Sequence, residues 1–216
     1  VTLVAALSAA LLAPLCVSGC ASASIKMKES LGYAKREQLV DEVKDTRNAQ
    51  QKAKEQFATT LDEFKSITGY NGGDLERQYN KLKSQADRSR DRASTVRGRI
   101  DSVERIANAM FREWDQELNQ YSSETLRAAS QEQRDLTRRR YHQLLDAMKA
   151  AESRMTPVLT AFDDQVLFLK HNLNARAIAS LQTTVNELET EIAALIDEMN
   201  RSIDEANAFI EGMQGG

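Results

Sequence analysis

The chain of 216 residues carries 41% hydrophobic and 28% charged residues, nine Gly, two Pro and 6% aromatics, a composition too poor in turn formers for a β-rich or loop-rich domain. Its net charge of -3, with both signs interleaved, excludes a dedicated nucleic-acid surface, which needs a basic excess on one face. Both cysteines, Cys16 and Cys20, precede the body of the chain, so the body has neither a disulfide framework nor a thiolate metal site.

Residues 1–17 are apolar or small, carry no charge and end in Val17-Ser18-Gly19-Cys20. A run this short, interrupted by Pro14, reads as a secretory signal rather than a membrane span, which needs about 20 apolar residues. Val17 to Cys20 resembles the lipobox of bacterial lipoproteins: an aliphatic residue, two small ones, then the Cys that receives the lipid. The resemblance implies cleavage between Gly19 and Cys20, a diacylglyceryl thioether on Cys20 and an acylated new amino terminus. Acyl chains contribute about 0.8 kcal/mol per buried CH2, so two or three make a lasting membrane anchor. Ala21 and Ser22 follow, with no Asp to act as an inner-membrane retention signal, which points to the outer membrane. An ordinary cleaved signal peptide with Cys20 as a free thiol is the competing reading. Residues 20–29, polar and Ser-containing, read as a tether.

A first helix is expected over residues 30–68, with Leu39, Val43, Thr46, Ala49, Ala53, Phe57, Leu61, Phe64 and Ile67 on one face. This seam slips by one residue after Phe57, a stutter of the kind that relaxes a supercoil. Gly69, Gly72, Gly73 and Asp74 then form a predicted helix-hairpin turn: Gly69 ends the helix in a left-handed conformation, Asn71-Gly72-Gly73 turns the chain, and Asp74 caps the next helix. A calcium loop is not expected there, since the 12-residue ligand spacing is absent.

The second helix, residues 74–121, shows the clearest pattern: Leu75, Tyr79, Leu82, Ala86, Ser89, Ala93, Val96, Ile100, Val103, Ala107, Met110, Trp114, Glu117 and Tyr121 recur in steps of four and three. That is the 3.5-residue repeat of helices that meet along a seam. A third helix, 123–171, starts at Ser123 and buries Leu126, Ala129, Leu136, Leu144, Met148, Ala151, Met155, Val158, Phe162, Gln165 and Leu169. Pro157 kinks it or, with Thr156 as cap, restarts it. Val166 to Leu169 is the most apolar segment after the leader. Asn172 ends this helix and Asn174 caps a fourth, 175–211, with Ile178, Leu181, Val185, Leu188, Ile192, Leu195, Met199, Ile203, Ala206 and Ile210 inward. Without a fold-back near Asn172, the stripe after Ile178 would find no partner within the chain. The expected fold is therefore all-α, an elongated antiparallel bundle of four long helices. A homo-oligomer along an extended third helix is the alternative.

Candidate chemistry is sparse. His142 and His171 lie far apart, and neither has the i,i+4 His or Cys of a metal site; no catalytic residue, metal or cofactor is expected. Asp163 and Asp164 are paired carboxylates on a heavily charged helix. Trp114 and Tyr121 read either as exposed anchors for a partner or, since both fit the seam, as core residues, which is the expected reading. Arg138-Arg139-Arg140 with Tyr141 and His142 reads either as a patch for anionic lipid or phosphate or as a solvated face paired with Glu and Asp of neighbouring helices.

Five segments resemble a family of Gram-negative lipoproteins known only as a domain of unknown function: KREQLVDEVKDTRNAQQKAKEQF from Lys35 to Phe57, GGDLE from Gly72 to Glu76, Arg138 to Tyr141, Met155 to Pro157, and DQVLFLKHNLNARAIASL from Asp164 to Leu181. The resemblance implies a periplasm-facing lipoprotein and brings no activity. The expected role is a non-enzymatic scaffold, held to the membrane through the lipid on Cys20, that binds another envelope protein; the alternative is a lipid-handling or membrane-surface-binding protein.

Overall fold

Four helices build the computed structural model: α1 (Lys35–Thr68), α2 (Leu75–Glu117), α3 (Glu124–His171) and α4 (Ala175–Gln214), with a 3-10 turn over Leu118–Gln120. The structure describes residues 34–68, 74–172 and 174–214, and no strand occurs among them. All four helices belong to one compact unit, which begins at Lys35. α1 packs on α2 and α4, and α3 packs on the same two, so the helices stand at the corners of a square. Glu42 meets Arg99 while Gln56 meets Gln85, and Arg47 meets Asn207 while Lys65 meets Glu189; neighbours therefore run antiparallel. The fold is an all-α antiparallel four-helix bundle.

Along each of the four helices a seam of buried positions recurs in alternating steps of four and three. On α1 the seam positions are Leu39, Val43, Thr46, Gln50, Ala53, Phe57, Thr60, Phe64 and Ile67, with Gln38, Val40 and Leu61 buried beside them; on α2 they run from Leu82 through Ser89 to Met110. On α3 they are Thr137, Tyr141, Leu144, Met148, Ala151, Met155, Val158 and Phe162, with Leu169 further on. On α4 they run from Ile178 to Met199 and continue through Ser202, Ala206, Phe209 and Met213. A repeat of 3.5 on every helix keeps each apolar stripe facing its partners along the whole length, the packing of coiled coils and most four-helix bundles. At its widest the interior is filled by rings: Phe57 and Phe64 of α1 stack on Phe162 of α3 across the diagonal, with centroids 5.9 and 5.3 Å apart.

Several expected positions move. The four-three steps continue past Phe57 through fully buried Thr60, as they pass through Gln50 before it, while Leu61 is buried beside them as expected, so the seam does not slip. Ala49 is only half-buried. The polar groups are admitted because each is satisfied. Gln50 Nε2 donates to Ser202 Oγ at 2.8 Å and the Ser202 hydroxyl returns a bond to Oε1 at 3.1 Å. The Thr60 and Ser89 hydroxyls meet at 2.8 Å. For the same reason Ser202, not Ile203, is the core residue of its turn in α4.

Leu126 and Ala129 are exposed rather than buried. Lys35 at the start of α1 is level with Glu113, and Arg140 is level with Gly212 near the end of α4. Among the described residues, the turns of α3 before Arg134 therefore have only the end of α2 and its 3-10 turn beside them. In the segment Val166 to Leu169 only Leu169 is buried. α2 stops at Glu117, which is exposed, and the tighter turn brings Leu118 inward. Tyr121, on extended backbone after that turn, is left exposed rather than in the core.

The helix boundaries otherwise hold closely. Ala34 lies outside the helix, so α1 starts at Lys35 rather than 30. α3 passes through Pro157 without restarting; the proline is on the exposed side, where the missing N–H costs least packing. The fold-back is at the expected place. The Asn172 side chain donates to the Phe168 carbonyl at 2.9 Å, its amide to the Leu169 carbonyl at 3.1 Å, and Ile178 N–H then reaches the Asn174 carbonyl at 3.1 Å to begin α4.

Candidate functional site

Gly19 and Cys20, the predicted cleavage and lipidation residues, lie outside the described residues, as do Gly69, Gly72 and Gly73 of the predicted hairpin turn. Asp74, the last residue of that turn, is the N-cap of α2. Its carboxylate accepts from the Arg77 amide at 3.0 Å, satisfying one of the donors that a helix start leaves open. His142 and His171 sit 29 positions apart on one straight-numbered stretch of α3, about 43 Å at 1.5 Å per residue, and form no joint site. No group of three or more His, Cys, Asp or Glu among the described residues could hold a metal ion. Among the same residues no helix is long and apolar enough to cross a membrane.

The basic cluster resolves into side chains with separate tasks. Arg138 Nη2 donates to Asp115 Oδ2 at 3.0 Å, and Arg134 binds the other oxygen of the same carboxylate. The Arg138 guanidinium also lies 4.9 Å from the Phe111 ring centre, a cation–π contact. Partial burial pushes the Asp115 carboxyl up, but the hydrogen bonds and charges of Arg138 and Arg134 outweigh it and hold the group below its ordinary value. Arg140 lies across α4, with Nη1 2.6 Å from where a Cβ on Gly212 would stand. Tyr141 is a core residue, 3% exposed, with its ring 5.6 Å from Phe111 and 5.3 Å from His142. Its hydroxyl has no hydrogen-bond partner among the described residues. Burial, aided by the Glu104 charge, pushes its phenol up to about 12.

Beside this cluster the Trp114 indole N–H donates to Ser130 Oγ at 2.9 Å, so Trp114 is half-buried at the edge of the seam. The whole corner acts as a clamp between α2 and α3, with Asp115 as its pivot. Further along, Arg97 meets Glu152 at 3.1 Å, Lys149 meets Glu104 at 3.4 Å, and Arg90 holds Asp163. Such solvent-facing pairs select which faces meet more than they stabilise, at roughly 0–1 kcal/mol each.

Among the described residues, three surface grooves between helices stand out. One, about 410 Å³, is bordered by Gln56 of α1 and Arg88, Asp91, Arg92 and Thr95 of α2. Two lie between α3 and α4: about 390 Å³ beside Arg140, Glu205 and Gly212, and about 440 Å³ beside Ala161, Thr184, Glu187, Leu188, Thr190 and Glu191. The first two mix both signs of charge, and the third is acidic. The residues missed from sequence are the buried polar pairs and this last groove. Extending the strict four-three steps of α2 to α1 and α4 lands on Gln50, Thr60 and Ser202, which was the available signal.

No curated protein and no solved structure matches the chain. The family model described as "Protein of unknown function (DUF2959)" matches residues 25–213, a stretch that takes in all four helices nearly to the end of the last, and the chain belongs to that family.

Proposed function

We propose that this protein is a non-enzymatic, lipid-anchored scaffold of the Gram-negative envelope, tethered through Cys20 to the outer membrane and binding another envelope protein through a helix face. The observation that carries this reading is the packing of the bundle. Four seams in one unbroken 3.5-residue register, pinned by Gln50 with Ser202 and Thr60 with Ser89, make a stiff body suited to spacing or presenting a surface. The sequence Val17-Ser18-Gly19-Cys20 supports the anchor. The same packing favours a scaffold over a bundle that opens to hold lipid, because opening would strip these buried groups of their partners.

Intact-mass measurement of protein extracted from envelopes, beside a Cys20→Ala variant and with membrane fractionation of both, tests the anchor. An added mass of acyl size on the wild type only, with outer-membrane fractionation, is expected. An unmodified wild-type chain in the soluble fraction would remove the anchor from the proposal. Cross-linking in intact cells is expected to join the wild-type protein to a defined envelope partner, and its repeated failure would remove the scaffold role.

A further inference from the structure

Four large apolar side chains are left open on the described surface, and two of them, Leu167 (58% exposed) and Phe168 (40%), are adjacent on the last turns of α3. Phe168 lies two turns beyond Ala161 and so on the same side of the helix. Ala161 borders the 440 Å³ groove whose other wall is Thr184, Glu187, Leu188, Thr190 and Glu191 of α4. Half-buried Ala161 and exposed Phe168 thus form an apolar strip on this side of α3, while Leu188, 2% exposed, lies beneath the groove. Its rim is acidic: Glu187 and Glu191 come from α4, and exposed Asp164 from α3 lies between Ala161 and Phe168 on the same side. None of these three carboxylates makes an ion pair among the described residues. Among the described side chains, Lys65 pairs with Glu189 on the α1 side, and Arg90 pairs with Asp163 on the α2 side. Exposed Arg154 lies two turns before Ala161 on α3, outside the groove's lining.

We infer that this groove takes a basic amphipathic helix of a partner protein, laying its apolar stripe on Ala161 and Phe168 and its Lys or Arg flanks against Glu187, Glu191 and Asp164. A helix seated between two helices continues the bundle's own mode of packing, and charge chooses the occupant. A second copy of the chain placed on this face would bring acidic rim against acidic rim. An anionic lipid surface would be repelled in the same way. The inference names the partner chemistry for the scaffold reading and rests on it only in taking the role to be binding; acylation of Cys20 does not enter.

The test is fluorescence anisotropy of the full chain with two labelled synthetic helices, one of Leu and Lys heptads and one of Leu and Glu heptads, at about 0.15 M salt, where long-range attraction is screened beyond roughly 8 Å. The Leu/Lys helix is expected to bind and the Leu/Glu helix not. Leu167→Ser with Phe168→Ser, both at exposed positions and so compatible with an unchanged circular dichroism spectrum, is expected to weaken binding about tenfold or more, as removal of an anchoring aromatic does. Glu187→Lys with Glu191→Lys is expected to reverse the preference between the two helices. Glu55→Lys with Asp62→Lys, an equal charge change on α1, is expected to leave binding within about twofold, since neither residue borders the groove and exposed charges are screened by salt. Equal affinity across all variants would overturn the inference. So would dimerisation in sedimentation that Leu167→Ser with Phe168→Ser abolishes, or binding to phosphatidylglycerol vesicles that the same pair abolishes. Failure here leaves the mass and fractionation result for Cys20 standing, so the two readings fail separately.

Discussion

Removing the Ser202 hydroxyl is the most direct challenge to the account of the bundle's register. Gln50 and Ser202 are both 0% exposed and exchange two hydrogen bonds, of 2.8 and 3.1 Å. Ser202→Ala strands the carbonyl oxygen and the amide of Gln50 in the core, where an orphaned polar group costs about 1–3 kcal/mol; a loss of about 2 kcal/mol is expected. Gln50→Leu is expected to cost less, about 1 kcal/mol or below, because the Ser202 hydroxyl can turn to the carbonyl four residues earlier. Thr46, Thr60 and Thr137 already do so in this bundle, at 2.7 to 2.9 Å. The double variant replaces both partners by apolar groups and is expected to lie near the wild type or above it. The double-mutant cycle should therefore return a coupling of about 1–3 kcal/mol. Equilibrium urea unfolding of the four proteins, followed by helical circular dichroism, gives all the terms. Additive losses, or a Ser202→Ala variant as stable as the wild type, would refute the claim that this pair holds the register.

Three further outcomes follow from single side chains. Gly98 is exposed in the middle of α2 with nothing within 4 Å of an added Cβ, so Gly98→Ala is expected to stabilise by about 0.5–1 kcal/mol through helix propensity and chain entropy, read in the same unfolding assay. Tyr141→Phe removes a buried hydroxyl that has no partner among the described residues and is expected to be neutral or stabilising by up to about 1 kcal/mol; a clear loss would show that the hydroxyl is bonded in solution. Asp115 has a depressed folded-state pKa, so its stabilising effect is full above the unfolded value, near 4, and is lost as pH falls through the lower folded value. The stability difference between wild type and Asp115→Ala is accordingly expected to be constant above about pH 5 and to shrink below about pH 4, with a size under about 1 kcal/mol because the side chain is well solvated. A difference independent of pH down to about 2 would assign the effect to packing alone.

The class of fold was written in periodicity. Leu82 to Met110 of α2 can be read directly as a seam, because a helix forced to bury a 3.5-residue stripe must place apolar side chains at those steps, and every one of those residues is buried. The fold-back at Asn172 was readable for a related reason: an apolar stripe from Ile178 onward needs a partner, and Asn at both ends of a short break supplies the caps. Asp74 announced itself as an N-cap by its chemistry alone.

Side-chain partnership was decided only in three dimensions. Gln50, Thr60 and Ser202 look like solvent-facing residues until Ser202 and Ser89 stand opposite them, since a polar group enters a core at low cost only when its hydrogen bonds are met there, and the partner lies on another helix. Tyr141 belonged by sequence to a basic run and by packing to the core beside Phe111. Conversely, Leu126, Leu167 and Phe168 carry the apolar character of core residues and remain exposed, Leu126 because neighbouring helices end before reaching it, the other two because the Phe162–Leu169 steps turn their side of α3 outward. Hydrophobicity is a property of one residue and is written in the chain; burial depends on where the other helices begin and end, and that is set by the tertiary structure.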